Sequence, residues 1–238
     1  MGKSTRRGYV STDEKEFNIE AIDKLKCAGT DIIYLLDKGY NIKGASTFVG
    51  DHYLLSARQR MALVRMIASN HTLKYRMEKE IKENLLGKTV NVDGFNTIIT
   101  LEVALSESLI LKGMDGAMRD LAGLRGTYRL IDKTDQAIVL MGEELERLKP
   151  ENVNLYLDAP VSNSGRLKVR MYELLHSFSY NLNISCVNQV DKILEHADCV
   201  ISSDSIILDK CVGWVNLNGK IIHNSLPDAY VLDLELNK

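Results

Sequence analysis

Up to about residue 86 the apolar positions recur at helical spacing. In "NIEAIDKLKCAGTDIIYLLDKGY", Ile19, Ile22, Leu25, Ile32, Ile33, Leu35 and Leu36 mark one helix, which Gly39 stops. A short element, "KGASTFVGDHY", follows. Ser56 then suits the N-cap of a helix running through Met61, Leu63, Val64, Met66 and Ile67. "LKYRMEKEIKENLLG" continues that helix or forms another, ending at Gly87. No proline precedes Pro150, so long helices are unobstructed.

From Lys88 onward strand-like runs alternate with helical ones. "TVNVDGF" reads as a strand and "NTIITLEVALSE" as a helix. "SLILKG" is a short strand and "DQAIVLMGEELERLK" a helix. "NVNLYLD", "NISCVN" and "DCVISSD" are strands, separated by helices in "GRLKVRMYELLHSF" and "VDKILEHA". "SIILDKC" makes a helical turn, and "GWVNLNG" is the expected last strand. This alternation predicts an α/β fold with a largely parallel sheet and crossover helices. A small all-α domain over residues 1–86 is expected to precede an α/β domain over 87–238. The stretch from Leu109 to Thr134, rich in glycine and charge, fits a long functional loop or an insertion.

Composition narrows the class. With 45% hydrophobic and 26% charged residues, the 238-residue chain reads as a soluble globular protein. A net charge of -2 gives no global basic field to announce nucleic acid, although a local basic patch remains open. The apolar runs are too short to span a bilayer, so no membrane partner is expected. Basic residues near the start are followed by no apolar core, so a secretory leader is not expected. Cys27, Cys186, Cys199 and Cys211 lack CxxC spacing and read as reduced cysteines of a cytoplasmic protein.

The candidate chemistry sits at the strand ends. Ligands of open α/β sheets bind outside the carboxyl ends of the strands. The run "TVNVD" ends in Asp93, "NVNLYLD" in Asp158 and "CVISSD" in Asp204, and Asp191 follows "NISCVN" just before its helix. Aspartate also caps helices, so capping is the alternative reading of each. If the four converge, their repulsion calls for a divalent cation, and all-oxygen ligation suits Mg²⁺ or Mn²⁺. No two of the five histidines have zinc-like helical spacing.

These motifs resemble a known superfamily. "VNVDGFN" looks like the opening motif of the NYN branch of the PIN-like nucleases, a strand ending in Asp-Gly-aromatic-Asn. "VISSDSI" resembles the late motif, a strand ending in Ser-Ser-Asp, and "NLYLDAP" and "VNQVDKIL" hold the middle acids in order. The likeness covers about residues 88–218. It implies a PIN/NYN-like α/β domain in which Asp93, Asp158, Asp191 and Asp204 are the metal-binding and catalytic acids, with Asn96 and Ser203 orienting acids or substrate. The implied activity is Mg²⁺- or Mn²⁺-dependent hydrolysis of RNA phosphodiester bonds, and family analogy adds a homodimer. The whole chain also resembles an uncharacterised prokaryotic family of unknown function. "DAPVSNSGR" and "MDGAMRDLAGLRGTYR" depart from the nuclease pattern.

Two other functions compete. "NVDGFNT" is similar to the Asp-x-Asp-Gly-Thr signature of haloacid dehalogenase phosphatases, but Asn91 stands where the nucleophilic acid is needed. The other is a non-catalytic RNA- or nucleotide-binding module whose acids remain helix caps.

Basic residues supply candidate substrate contacts. Ser162, Asn163, Ser164 and Gly165 lead into a helix whose free N–H groups, with Arg166, suit a phosphate; a plain cap with a solvated basic turn is the alternative. Arg119, Arg125 and Arg129 in the insertion suit either a nucleic-acid backbone or salt bridges to Asp115 and Asp120. Arg58, Arg60, Arg65, Lys74 and Arg76 form either an RNA-facing stripe or the wet face of amphipathic helices.

Overall fold

The computed structural model describes residues 5–123 and 126–236. Its first part is helical: α1 (Asp13–Glu16), α2 (Ile19–Asp37), α3 (Ile42–His52), α4 (Ala57–Met66) and α5 (Asn70–Glu78). One device starts four of them. The side-chain oxygens of Asn18, Asn41, Ser56 and Ser69 each accept the N–H three residues on, and Ser56 with Gln59 completes a capping box. Gly39, at φ +87°, lets the chain leave α2. "KGASTFVGDHY" forms α3.

The second part alternates as expected. Thr89–Asp93 is β1, Gly94–Leu105 α6, Thr134–Leu148 α7 and Asn152–Asp158 β4; between α6 and α7 lie β2 (Ile110–Lys112) and β3 (Met118–Asp120). Then come α8 (Ser164–Leu175), β5 (Asn181–Val187), α9 (Val190–Leu194), β6 (Val200–Ile201), α10 (Ser205–Lys210), α11 (Leu217–Ser225) and β7 (Val231–Asp233). Four strands form one parallel sheet in the order β5-β4-β1-β6. The protein is therefore an α/β protein with a mostly parallel sheet.

Alternation along β4 sorts the layers. Val153, Leu155 and Leu157 are buried in the main core, with α6, α7, α8 and α11. Tyr156 points to the other face, where Val190 and Leu194 of α9 and Ile207 and Leu208 of α10 pack around Trp214. The two helices after β5 and β6 thus share one small core at the carboxyl edge.

Two expectations change. "GWVNLNG" is not a strand. Trp214 makes only isolated bridges, to Glu80 and Val200, and Asn216 accepts the Gly219 N–H to cap α11. The segment 109–134 is not merely a loop. It carries the β2–β3 hairpin, which joins β7 in a second sheet of order β3-β2-β7. Leu109 and Leu111 from this segment, with Leu232 and Leu234, share a core with Leu25, Ile32, Val49 and Leu63 of the leading helices. Among the described residues no helix is long and apolar enough to cross a membrane.

Candidate active site at the carboxyl edge of the parallel sheet

Asp93 ends the central strand and begins α6. Its Oδ1 accepts the Asn96 N–H at 3.2 Å and its Oδ2 the Ser202 hydroxyl at 3.0 Å. The first turn of α6 lies tight on β4. A Cβ on Gly94 would stand 2.9 Å from the Tyr156 carbonyl oxygen and 2.7 Å from Leu157 Cδ2, so the Asp-Gly pair is a packing requirement and not a turn. The carboxyl group is only 7% exposed. Burial pushes its pKa up to about 7, the two hydrogen bonds oppose the rise, and the charges of Asp191 and Asp204 add to it.

The corner after β6 closes over Asp93. In register, Ile201 pairs with Val92, so Ser202 arrives beside Asp93. Ser202 also accepts the Asp204 N–H at 3.1 Å. Ser203 donates from its N–H and its hydroxyl to Asn96 Oδ1, at 2.8 and 2.9 Å. Asp204 caps α10, accepting the Ile206 N–H at 2.7 Å. Asn96 and Ser203 therefore bind each other and fix the corner. Strand β6 is only two residues long because Ser202 to Asp204 turn away to make these bonds.

The other two acids complete the edge. Asp158 Oδ1 accepts the Val190 N–H at 3.3 Å and ties β4 to the start of α9. Asp191, in the first turn of α9, is exposed, and its carboxyl group accepts no hydrogen bond from the described residues. Partial desolvation raises its pKa, and Asp204, Asp158 and Glu195 raise it further. The structure brings Asp93, Asp158, Asp191 and Asp204 to one sheet edge, with Asp191 near enough to the other three to interact with their charges.

It does not gather them into a closed ligand set. Among the described residues no group of three or more acids, histidines or cysteines is placed to hold a metal ion. The four side chains offer carboxylate oxygens only, with no histidine or cysteine among them.

The remaining candidates separate into buried and open groups. Arg119 is 5% exposed, with its guanidinium on both Asp115 oxygens and on the Ser203 carbonyl, so it faces inward and not toward solvent. Ser162 exchanges hydrogen bonds with the N–H and C=O of Tyr128, and Asn163 also donates to that carbonyl. These two pin the loop before α7. Ser164 donates to the Ala159 carbonyl at 3.4 Å. Arg166 is exposed and has no ion pair among the described residues. Arg125 lies outside the described residues.

The leading-helix cations do not form a free stripe. Arg58 pairs with Asp13, Arg60 with Asp51, and Arg65 binds the Asp120 carbonyl. Arg76 is buried between Asp115 and Asp209. Two residues near the site escaped sequence reasoning in these roles, Ser202 and Arg76, whereas Asp115 is the salt-bridge partner that the sequence offers for Arg119. Only Ser202 left a signal, since it directly precedes the Ser-Asp pair at a strand end.

A parallel α/β sheet with acids along its carboxyl edge, preceded by helices, defines the class. The chain belongs to the family described as "Domain of unknown function (DUF5616)", which matches residues 82–220. Residues 24–79 match "Protein of unknown function (DUF434)". An uncharacterized protein of Methanocaldococcus jannaschii is 35% identical over 191 residues, covering 79% of this chain and 89% of that protein. No solved structure matches.

Proposed function

We propose that the chain is a Mg²⁺- or Mn²⁺-dependent nuclease that hydrolyses RNA phosphodiester bonds on a PIN/NYN-like α/β domain. One observation carries this reading. A buried carboxyl group, Asp93, ends an inner strand of the parallel sheet; burial is the main cause of its raised pKa, and Asp191 and Asp204 stand close enough to add to the rise. Like charges at a strand edge with few donors are relieved by a cation.

When bound, the cation would neutralise phosphate charge and make water a better nucleophile at neutral pH. The chain's own groups do the rest. Asp93 would be one of the acids that hold the cation, and Ser202 and the Asn96 N–H fix its two oxygens in place. Asp191, whose carboxyl group accepts no hydrogen bond from the described residues, is the acid most free to turn toward a cation. Asn96 and Ser203 keep the Asp204 corner against α6. Arg166 follows β4 at the same edge and suits a phosphate of the RNA backbone.

The second reading, a non-catalytic RNA- or nucleotide-binding module, draws on a different observation. Asp93, Asp158 and Asp204 each accept an N–H at the start of a helix, as caps do. Labelled single-stranded and hairpin RNAs incubated with Mg²⁺, Mn²⁺ or chelator separate the two. Metal-dependent cleavage favours the nuclease, and chelator-insensitive binding without cleavage favours the module.

A further inference from the structure

The corner that carries Asp204 is held from outside the α/β unit. Arg76, on α5, reaches three places in it. Its Nε donates to Asp209 Oδ1 on α10 at 2.7 Å, and its Nη2 to the Ser205 carbonyl at 3.3 Å. Its Nη1 donates to Asp115 Oδ2, also at 2.7 Å.

Asp115 passes the constraint on. Arg119 takes both its oxygens, at 2.8 and 2.7 Å, and Arg119 Nε grips the Ser203 carbonyl at 2.7 Å. Ser203 in turn bonds Asn96, whose N–H reaches Asp93. Burial works against charge on Asp115, yet the two guanidinium groups hold its carboxyl below the usual carboxylate range, so it is ionised in place. Gly113 makes room for this: a Cβ there would lie 2.0 Å from Arg119 Nη1.

A second grip supports the first. One turn along α5, Lys79 Nζ donates to the carbonyls of Leu208, Asp209 and Cys211, at 2.7, 3.2 and 2.9 Å, and closes the end of α10. The indole N–H of Trp214 donates to the Arg76 carbonyl at 2.8 Å. Helix α10 is six residues long, too short to be stable by itself, so these external bonds decide where it sits.

We propose that Arg76 is a positioning residue for the Asp204 corner, so that the leading helices set where Asp204 stands relative to Asp93. This rests on the reading of the acidic edge as a cation site. It assigns the leading helices a part in building that site. Arg76 touches no reacting atom; it acts through Asp115, Arg119 and α10.

The test compares the full-length parent with Arg76→Met and Asp209→Asn, by hydrogen exchange over residues 203–211 and by Mn²⁺ titration without RNA. In Arg76→Met, exchange of the Leu208 and Cys211 amides should rise about ten- to a hundredfold, the range given by a lost charge-assisted hydrogen bond. Amides of β4 and α7 should keep the parent rates, and Mn²⁺ affinity should fall about tenfold, as when an outer-shell support is removed. Parent-like exchange over 203–211 in a folded Arg76→Met overturns the proposal, as does unchanged Mn²⁺ affinity where the parent binds Mn²⁺. Should Arg76→Met fail to fold, Asp209→Asn decides: local loosening of 203–211 supports the proposal and parent-like exchange overturns it. A parent that binds no Mn²⁺ sinks the cation-site reading instead, and the exchange data then decide the positioning role alone.

Discussion

The Ser202 hydroxyl donates to Asp93 Oδ2 at 3.0 Å across 109 residues of sequence. The same hydroxyl oxygen accepts the Asp204 N–H at 3.1 Å. Ser202 therefore joins two of the four edge acids, one at the end of β1 and one just beyond β6. Parallel pairing of Val92 with Ile201 makes this possible, because it sets the next residue on each chain segment, Asp93 and Ser202, side by side.

Ser202→Ala removes that link. Asp93 loses one of the two bonds that favour its charged form, so its pKa rises further. The expected loss of stability is about 1 kcal/mol. Mn²⁺ binding should shift to higher pH, since protons compete more strongly for the carboxylate. Urea unfolding and Mn²⁺ titrations between pH 6 and 8.5 check both.

The raised pKa of Asp93 has a signed consequence for metal-free protein. Its carboxyl group moves from the ordinary 3.8 to about 7 on folding, so between those values the native state holds a proton that the unfolded chain releases. Its contribution to stability is complete below pH 3.8 and is lost as pH rises through 7, on the order of a few kcal/mol in all. Asp93→Asn keeps the size and the cap but not the titration. The parent-minus-variant difference in unfolding free energy should therefore fall as pH rises from 5 to 8. A flat difference would mean that Asp93 ionises normally.

Much of this architecture was legible in the sequence. Ser56 as an N-cap, the alternating Val153, Leu155 and Leu157, and the apolar face of α7 are local signals, and each formed the element it predicts. What failed to show was non-local. Strand β2 lies within the predicted strand "SLILKG", but β3 has only three residues, and β2 finds its parallel partner in β7, near the end of the described chain. "GWVNLNG" has strand-like alternation, but the Asn216 cap decides for a helix. The salt bridge of Arg119 to Asp115 was one of two alternatives the sequence left open, but Arg76 read as part of a stripe or wet face because its partner Asp115 lies far along the chain in the irregular segment. Of the site, the strand-end acids were visible as positions. Their mutual spacing was not, since register and loop closure set it.

Far from the acids, the leading arm is anchored by a buried charge pair. Arg7 Nε lies 2.5 Å from Glu102 Oε2, and Glu102 is 0% exposed; Tyr128 and Thr134 donate to its other oxygen. Arg7→Met strands a buried carboxylate and should cost about 3–5 kcal/mol. Adding Glu102→Gln should restore a good part of that. Thermal unfolding of the two variants reads the difference, and equal stability of single and double variants would refute the pairing.

Asp204 combines a cap with a proposed ligand, and two substitutions separate these. Asp204→Ala should lower stability by about 1 kcal/mol through loss of the α10 cap. Asp204→Asn keeps an acceptor for the Ile206 N–H and should stay near parent stability. Both should weaken Mn²⁺ binding. An Asp204→Asn protein with parent affinity would leave Asp204 as a cap alone.

The most direct test is cleavage of labelled single-stranded and hairpin RNA by purified parent and Asp93→Asn, each with Mn²⁺, with Mg²⁺ and with chelator. Asp93→Asn must first be confirmed as folded by the fluorescence of its single tryptophan, the buried Trp214. The account predicts that the parent cleaves RNA only with divalent cation and that folded Asp93→Asn does not cleave. Equal cleavage by the two proteins, or no cleavage by the parent with either cation, would contradict it.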